Sequence, residues 1–261
     1  HPSPTYHKYD VVDYYGIHTD YGTMDDFKQL VKEVHEKDMK IIIDLVVNHT
    51  SDQHEWFQKA LKGDQKYMDY YVWTDDKKII TKEENHWHEP KSEVSNELKG
   101  KKYYGFFWHE MPDLNYDNPN VREEIKNIGK FWLSEIGIDG FRLDAIRFIY
   151  PENEMGKNHA WWREFRTAMD EVNPDFFMVA EIWGEDTIIA PFLKHGVHAG
   201  FNFDVSFKII ASIKDGHDKG IIEKLIEARK LYNKTDADFH DAVFLTNHDQ
   251  NRILTEFKGN A

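Results

Sequence analysis

Four short runs of this chain are apolar almost throughout, and each closes on a cluster of acidic, amide or histidine residues: IIIDLVVNH (Ile41 to His49), GIDGFRLDA (Gly137 to Ala145), FFMVAEIWG (Phe176 to Gly184) and AVFLTNHD (Ala242 to Asp249). A strand half exposed to water alternates, whereas a strand buried on both faces of a parallel sheet is apolar on both sides, so these runs read as buried parallel strands. The polar clusters then fall at the strands' carboxyl ends, the place where barrel enzymes keep their chemistry. Between the runs the period changes to that of helices. Thr23 and Asp26 form an approximate capping box ahead of an apolar face made by Phe27, Leu30, Val31 and Val34. Asn118 and Pro119 open a helix carrying Val121, Ile125, Ile128 and Trp132 and stopping at Gly137. Ala160 to Val172 reads as a helix stopped by Asn173 and Pro174, and Lys219 to Tyr232 as another. Lys40 to Val47 and Phe176 to Ile182 read as strands, with Phe201 to Phe207 a weaker one. The alternation is that of repeated β-α units.

One stretch, Ser51 to about Tyr116, breaks the rhythm and is rich in charge, histidine and aromatics. A long excursion at the carboxyl end of a barrel strand is more often functional than accidental. The organisation is therefore residues 1–50 as barrel, 51–116 as a small inserted domain beside the active site, and 117–261 as barrel again. The insert's aromatics, among them Tyr70, Tyr71, Trp73, Trp87, Tyr103, Tyr104, Phe106, Phe107 and Trp108, have two uses open to them: stacking on the apolar faces of sugar rings, or, for the larger share, packing the insert's own core.

Composition narrows the function. A chain of 261 residues with 40% hydrophobic and 15% aromatic content has the size and core of one barrel. A formal net charge of -14 argues against nucleic acid or an anionic membrane as partner and favours a neutral substrate. No apolar run approaches the ~20 residues that span a bilayer, and His1 to Tyr9 has no apolar signal core. The absence of cysteine removes disulfides, thiolate catalysis and cysteine-zinc sites together. Among 47 acidic residues a single carboxylate means little, but Asp44, Asp144, Glu181 and Asp249 all follow buried-strand patterns, where an ionised group is costly unless paired or used. Arg142 lies two residues before Asp144, on the same side of a strand, and is placed to keep that carboxylate ionised. Glu181 sits among Phe177, Val179, Ile182 and Trp183, an apolar setting expected to raise its pKa. One low and one high carboxylate is the pairing that glycosidases use.

DLVVNH, GFRLDAIRF, EIW and TNHD resemble, in order, four hallmark segments of the α-amylase family, glycoside hydrolase family 13, and MPDLN (Met111 to Asn115) resembles the fifth. The resemblance implies an α/β fold, a (β/α)8 TIM barrel running here from roughly the second to the seventh strand, with a B domain inserted after the third. It makes Asp144 the nucleophile, Glu181 the general acid/base and Asp249 the third carboxylate, which grips the sugar and stabilises the transition state. It places Arg142 beneath the nucleophile and assigns Asp44 to holding that arginine. His49 and His248 would bind sugar hydroxyls, Tyr9 in YHKYD would stack under the same sugar with His7 nearby, and Trp183 and Arg147 would add substrate contacts, Arg147 on the acceptor side. A structural calcium ion is implied, with Asn48 and Asp113 as ligands and others from the B domain and from a backbone carbonyl near Phe148.

The chain departs from the family pattern where many α-amylases have lysine then histidine after the nucleophile segment: Arg147 and Phe148 stand here. A complete barrel would also have a strand and helix before Tyr9 and another pair after Asp249, so the chain reads as part of a longer protein. The implied activity is retaining hydrolysis of α-1,4 bonds in starch-like glucans. Oligo-α-glucosidase, cyclodextrin or maltogenic hydrolase and transglycosylase activities use the same residues, and a silent carbohydrate-binding member is the reading from another class. The compartment stays open, with export favoured if the substrate is polymeric starch.

Overall fold

The computed structural model describes residues 1–77 and 86–257. Its first strand, β1 (Ile42–Leu45), is followed by a three-stranded antiparallel sheet within the insert, β2 (Trp73–Thr74), β3 (Trp87–His88) and β4 (Lys102–Tyr104), in the order β2-β4-β3. Four more strands then join β1: β5 (Gly140–Leu143), β6 (Phe177–Ala180), β7 (Ala199–Phe201) and β8 (His240–Ala242). The main sheet has the order β1-β5-β6-β7-β8, and every neighbouring pair is parallel. Helices α4 (Pro119–Phe131), α5 (Met155–Asp170), α6 (Asp186–Leu193) and α8 (Ile221–Thr235) lie between strands in sequence, giving an α/β fold that is a partial barrel. No helix among the described residues is long and apolar enough to cross a membrane.

Local chemistry explains most of these boundaries. In α1 (Met24–His35), Thr23 and Asp26 bond reciprocally as a full capping box. Asn118 caps α4 by accepting from the Asn120 amide, Pro119 fills the first turn, and the chain leaves through one π-helical turn, Trp132–Ile136, that ends at Gly137 in the left-handed region. Gly140 opens β5 because a Cβ there would lie 1.9 Å from the Phe177 carbonyl oxygen. That close approach sets Gly140 opposite Phe177 and Leu143 opposite Ala180, so Asp144 and Glu181 leave their strands side by side. Phe141, Trp161, Trp162, Phe165 and Phe192 fill the layer between sheet and helices.

Four expectations are corrected. Leu30 is exposed, and Val31 alone of the α1 residues is buried. The opening residues run as turns rather than as a second barrel strand, tied by Val12 N–H to Pro2 O at 2.9 Å, and the main sheet has five strands among the described residues. The strand expected over Phe201 to Phe207 stops at Phe201, because Asn202 accepts from the Val205 amide at 3.1 Å and starts α7 (Phe203–Asp215). Helix α5 begins at Met155, ahead of the expected Ala160. In the insert, Tyr70, Tyr71 and Tyr103 are buried as core, while Phe107 and Trp108 remain open to solvent.

Candidate active site

Arg142, third residue of β5, stands opposite Asp44 of β1 in the sheet register. Its guanidinium gathers three carboxylates from three strands: Asp44 Oδ1 at 3.0 Å, and Asp144 and Glu181 in direct hydrogen bonds. The pairing is frugal, one cation against three anions. Tyr9 closes the cluster from the other end of the sequence, with its ring 5.7 Å from the guanidinium carbon and its hydroxyl 2.9 Å from His248 Nε2 and 3.4 Å from Asp44 Oδ2. The Tyr9 and His248 rings lie parallel, 5.4 Å apart.

Burial pushes Asp144 up to about 7, the positive charge of Arg142 working against it and the negative charge of Glu181 with it. This reverses the expected low value. Arg142 divides its charge among three carboxylates, so it does not offset the loss of water around Asp144. Burial alone would lower the Arg142 pKa, yet Asp44, Asp144 and Glu181 raise it above its ordinary value. Glu181 is held at both oxygens: Arg142 donates to Oε2, and the Trp183 indole N–H donates to Oε1 at 2.6 Å. Trp183 in turn lies against Phe203, with ring centroids 3.9 Å apart. The indole bond is a contact with Glu181 that the motif position of Trp183 did not reveal.

The remaining candidates divide. His49 is buried under Tyr9, where its Nε2 lies 3.1 Å from the Tyr9 carbonyl, and burial lowers its pKa to about 4 against the pull of that carbonyl. His7 accepts from the Tyr9 amide at 3.1 Å. Arg147 donates to the Trp183 carbonyl and to Glu152, both at 2.7 Å, and lines a cavity of about 650 Å³ with Tyr104, Phe106, Phe148 and Tyr150. Asp249 meets the cluster through His248, whose Nε2 is 3.4 Å from its carboxylate, rather than through Arg142. It follows the edge strand β8 in an open turn, and its side chain is half exposed.

Asn48 and Asp113 come together behind His49, where His49 and Asp113 form an isolated antiparallel bridge. Asn48 Oδ1 is buried with no hydrogen-bond partner, and Asp113 is buried with the Phe106 amide donating to it at 3.2 Å. Burial holds the Asp113 carboxyl well above the usual range, with the Phe106 amide and the Asn48 side chain opposing. A buried amide oxygen and a buried carboxylate are the donor types that a hard cation such as calcium takes. Phe148, at the expected carbonyl position, stacks on Phe106 with ring centroids 4.3 Å apart.

Comparison with known proteins places this geometry. The family model described as Alpha amylase, catalytic domain matches residues 1–261. The chain is 48% identical over 259 residues to Alpha-amylase 3 of Dictyoglomus thermophilum, covering 99% of this chain and 49% of that protein. It is 36% identical over 260 residues to 4-alpha-glucanotransferase of Thermotoga neapolitana, covering 98% and 54%. Among solved structures, the alpha-amylase from H.orenii superposes with a TM-score of 0.84 at 41% identity, covering 99% of this chain and 52% of the other. The chain thus spans about half the length of the relatives it matches. Its parallel strands, its strand-end carboxylates and these matches agree: the chain belongs to the α-amylase family of glycoside hydrolases.

Proposed function

We propose that the protein containing this chain hydrolyses α-1,4 bonds of starch-like α-glucans with retention of configuration. The observation that carries the reading is the pair Asp144 and Glu181, held at the ends of adjacent strands by one guanidinium. One guanidinium bonded to both carboxylates keeps them close to each other, and a short separation, about 5–5.5 Å against the ~6.5–9.5 Å that admits a water in inverting enzymes, is the arrangement of retaining glycosidases. Asp144 attacks the anomeric carbon while Glu181 gives its proton to the departing glycosidic oxygen. The C–O bond to the leaving glucan breaks and a glycosyl–Asp144 ester forms. Glu181 then takes a proton from water, whose oxygen displaces Asp144. Asp249 and His248 hold the sugar's hydroxyls and Tyr9 supports its ring. Glu181 accepts from both Arg142 and the Trp183 indole in the free site, so one of these bonds opens for its proton transfer to the glycosidic oxygen.

A sugar hydroxyl can replace water in the second half-reaction, so transglycosylation is the second reading, supported by the 36% identity to a 4-alpha-glucanotransferase. In the full-length protein, Asp144→Asn and Glu181→Gln should each lose hydrolysis of soluble starch by at least 10³-fold while keeping a native melting transition, the scale of removing a nucleophile or acid/base group. Wild-type rates in both variants would sink the assignment. Products tell the readings apart: mixed short maltooligosaccharides mean endo-hydrolysis, longer oligosaccharides than those supplied mean transfer. Calcium is proposed as a structural ion held by Asn48 and Asp113, joining the insert to the barrel without entering the chemistry. Chelation should lower the melting temperature and added calcium restore it; an unchanged melting curve after both treatments would remove the ion from the reading.

A further inference from the structure

The segment carrying Tyr9 is tied by hydrogen bonds whose directions are forced. A backbone N–H can only donate, so His7 Nδ1, 3.1 Å from the Tyr9 amide, carries no proton. In the neutral imidazole the proton then sits on Nε2, which lies 2.8 Å from Thr5 Oγ1. Thr5 accepts that proton's bond and donates its own to Asp10 Oδ1. Asp10 is wholly buried and also receives the Ser3 hydroxyl on Oδ1, while its Oδ2 has no partner. His7 Nδ1 and Asp10 Oδ1 lie 3.9 Å apart, beyond hydrogen-bond reach, so the hydrogen-bonded link runs through Thr5. The opposite side of Tyr9 is held as well, its carbonyl lying 3.1 Å from His49 Nε2.

We infer that Asp10, acting through Thr5, is a positioning residue that sets His7 in the Nε2–H tautomer and so fixes the backbone of Tyr9. Buried Asp10 orients the Thr5 hydroxyl, Thr5 leaves only its lone pairs for the imidazole, and His7 is left with a bare Nδ1 for the Tyr9 amide. The opposite tautomer would set two N–H groups against each other at Tyr9 and leave an unmet hydrogen bond on each. The relay stands on the hydrogen bonds alone; its effect on turnover rests on the reading of Tyr9 as the support of the sugar ring.

The decisive measurement is the ¹⁵N shift pattern of the His7 ring in the full-length protein, beside its Thr5→Val and Thr5→Ser variants. The wild type and Thr5→Ser should show the Nε2–H tautomer, and Thr5→Val a mixture. Thr5→Val should also raise KM for maltooligosaccharides roughly three- to tenfold with kcat little changed, the loss of about one hydrogen bond's worth of ground-state binding, and Thr5→Ser should restore it. A merely structural Thr5 would lower the melting temperature and leave the tautomer as it was, which overturns the inference, as does an Nδ1–H wild type. A tautomer that moves while KM stays constant upholds the relay and sinks the sugar-supporting role of Tyr9.

Discussion

Two halves of the active site are built to different standards of restraint. Asp144 and Glu181 leave central strands: the Asp144 amide bonds Leu45 O on one side, the Glu181 amide bonds Leu143 O, and their side chains are 13% and 7% exposed. His248 and Asp249 follow β8, which lies at the sheet's edge, and their side chains are 51% and 52% exposed. The first half is held by charge and by neighbours on both sides; the second by a ring stack on Tyr9 and the hydrogen bond beside it. Among the described residues, Asp144 and Glu181, which share Arg142, are more firmly aimed than Asp249.

The largest test of this contrast is Arg142→Met, which strands three carboxylates at the strand ends. It should cost about 3–5 kcal/mol in a denaturant titration at pH 7, the usual cost of breaking a buried pair from one side. A loss below about 1 kcal/mol would mean that the central half is no better held than the edge. Next comes pH. The folded Asp144 pKa lies above its unfolded value of about 4, so this group's contribution to stability is full below about 4 and is lost as pH rises through about 7. Asp144→Asn, which cannot ionise, should therefore match the wild type near pH 4 and exceed it by on the order of 1 kcal/mol or more at pH 8. Unfolding curves that run parallel across that range would show that burial does not govern Asp144. The smallest effect belongs to the edge: Asp249→Asn should change stability by no more than about 0.5 kcal/mol while starch hydrolysis is lost. A large stability change there would erase the difference between the halves.

What was legible in the residues follows the same division. The central strands could be read because burial on both faces leaves an unbroken apolar run, and Arg142 two residues before Asp144 already implied a shared face. The weaker strand failed because FNFDVSF alternates like a strand, while the side-chain oxygen of Asn202 at the helix start outweighs that pattern. Leu30 has the right helical spacing, but spacing does not say what stands opposite. The contact between Tyr9 and His248 joins residues 239 apart in sequence, and only the resemblance to a family had placed both near one sugar. The Asp144 pKa was misjudged because its burial, which only the fold supplies, outweighs the neighbouring Arg142 charge. The Trp183 indole bond left no local signal, since tryptophan after a strand is ordinarily packing.

Gly140 shows how little material sets this centre. Its missing methyl lets β5 and β6 close on each other at the Phe177 carbonyl, and the register that results carries forward by one strand's length to Asp144 and Glu181. The spacing of the two carboxylates is in that sense encoded four residues upstream of the first, by a side chain that is a single hydrogen atom. A residue without a side chain thereby sets where two carboxyl groups stand.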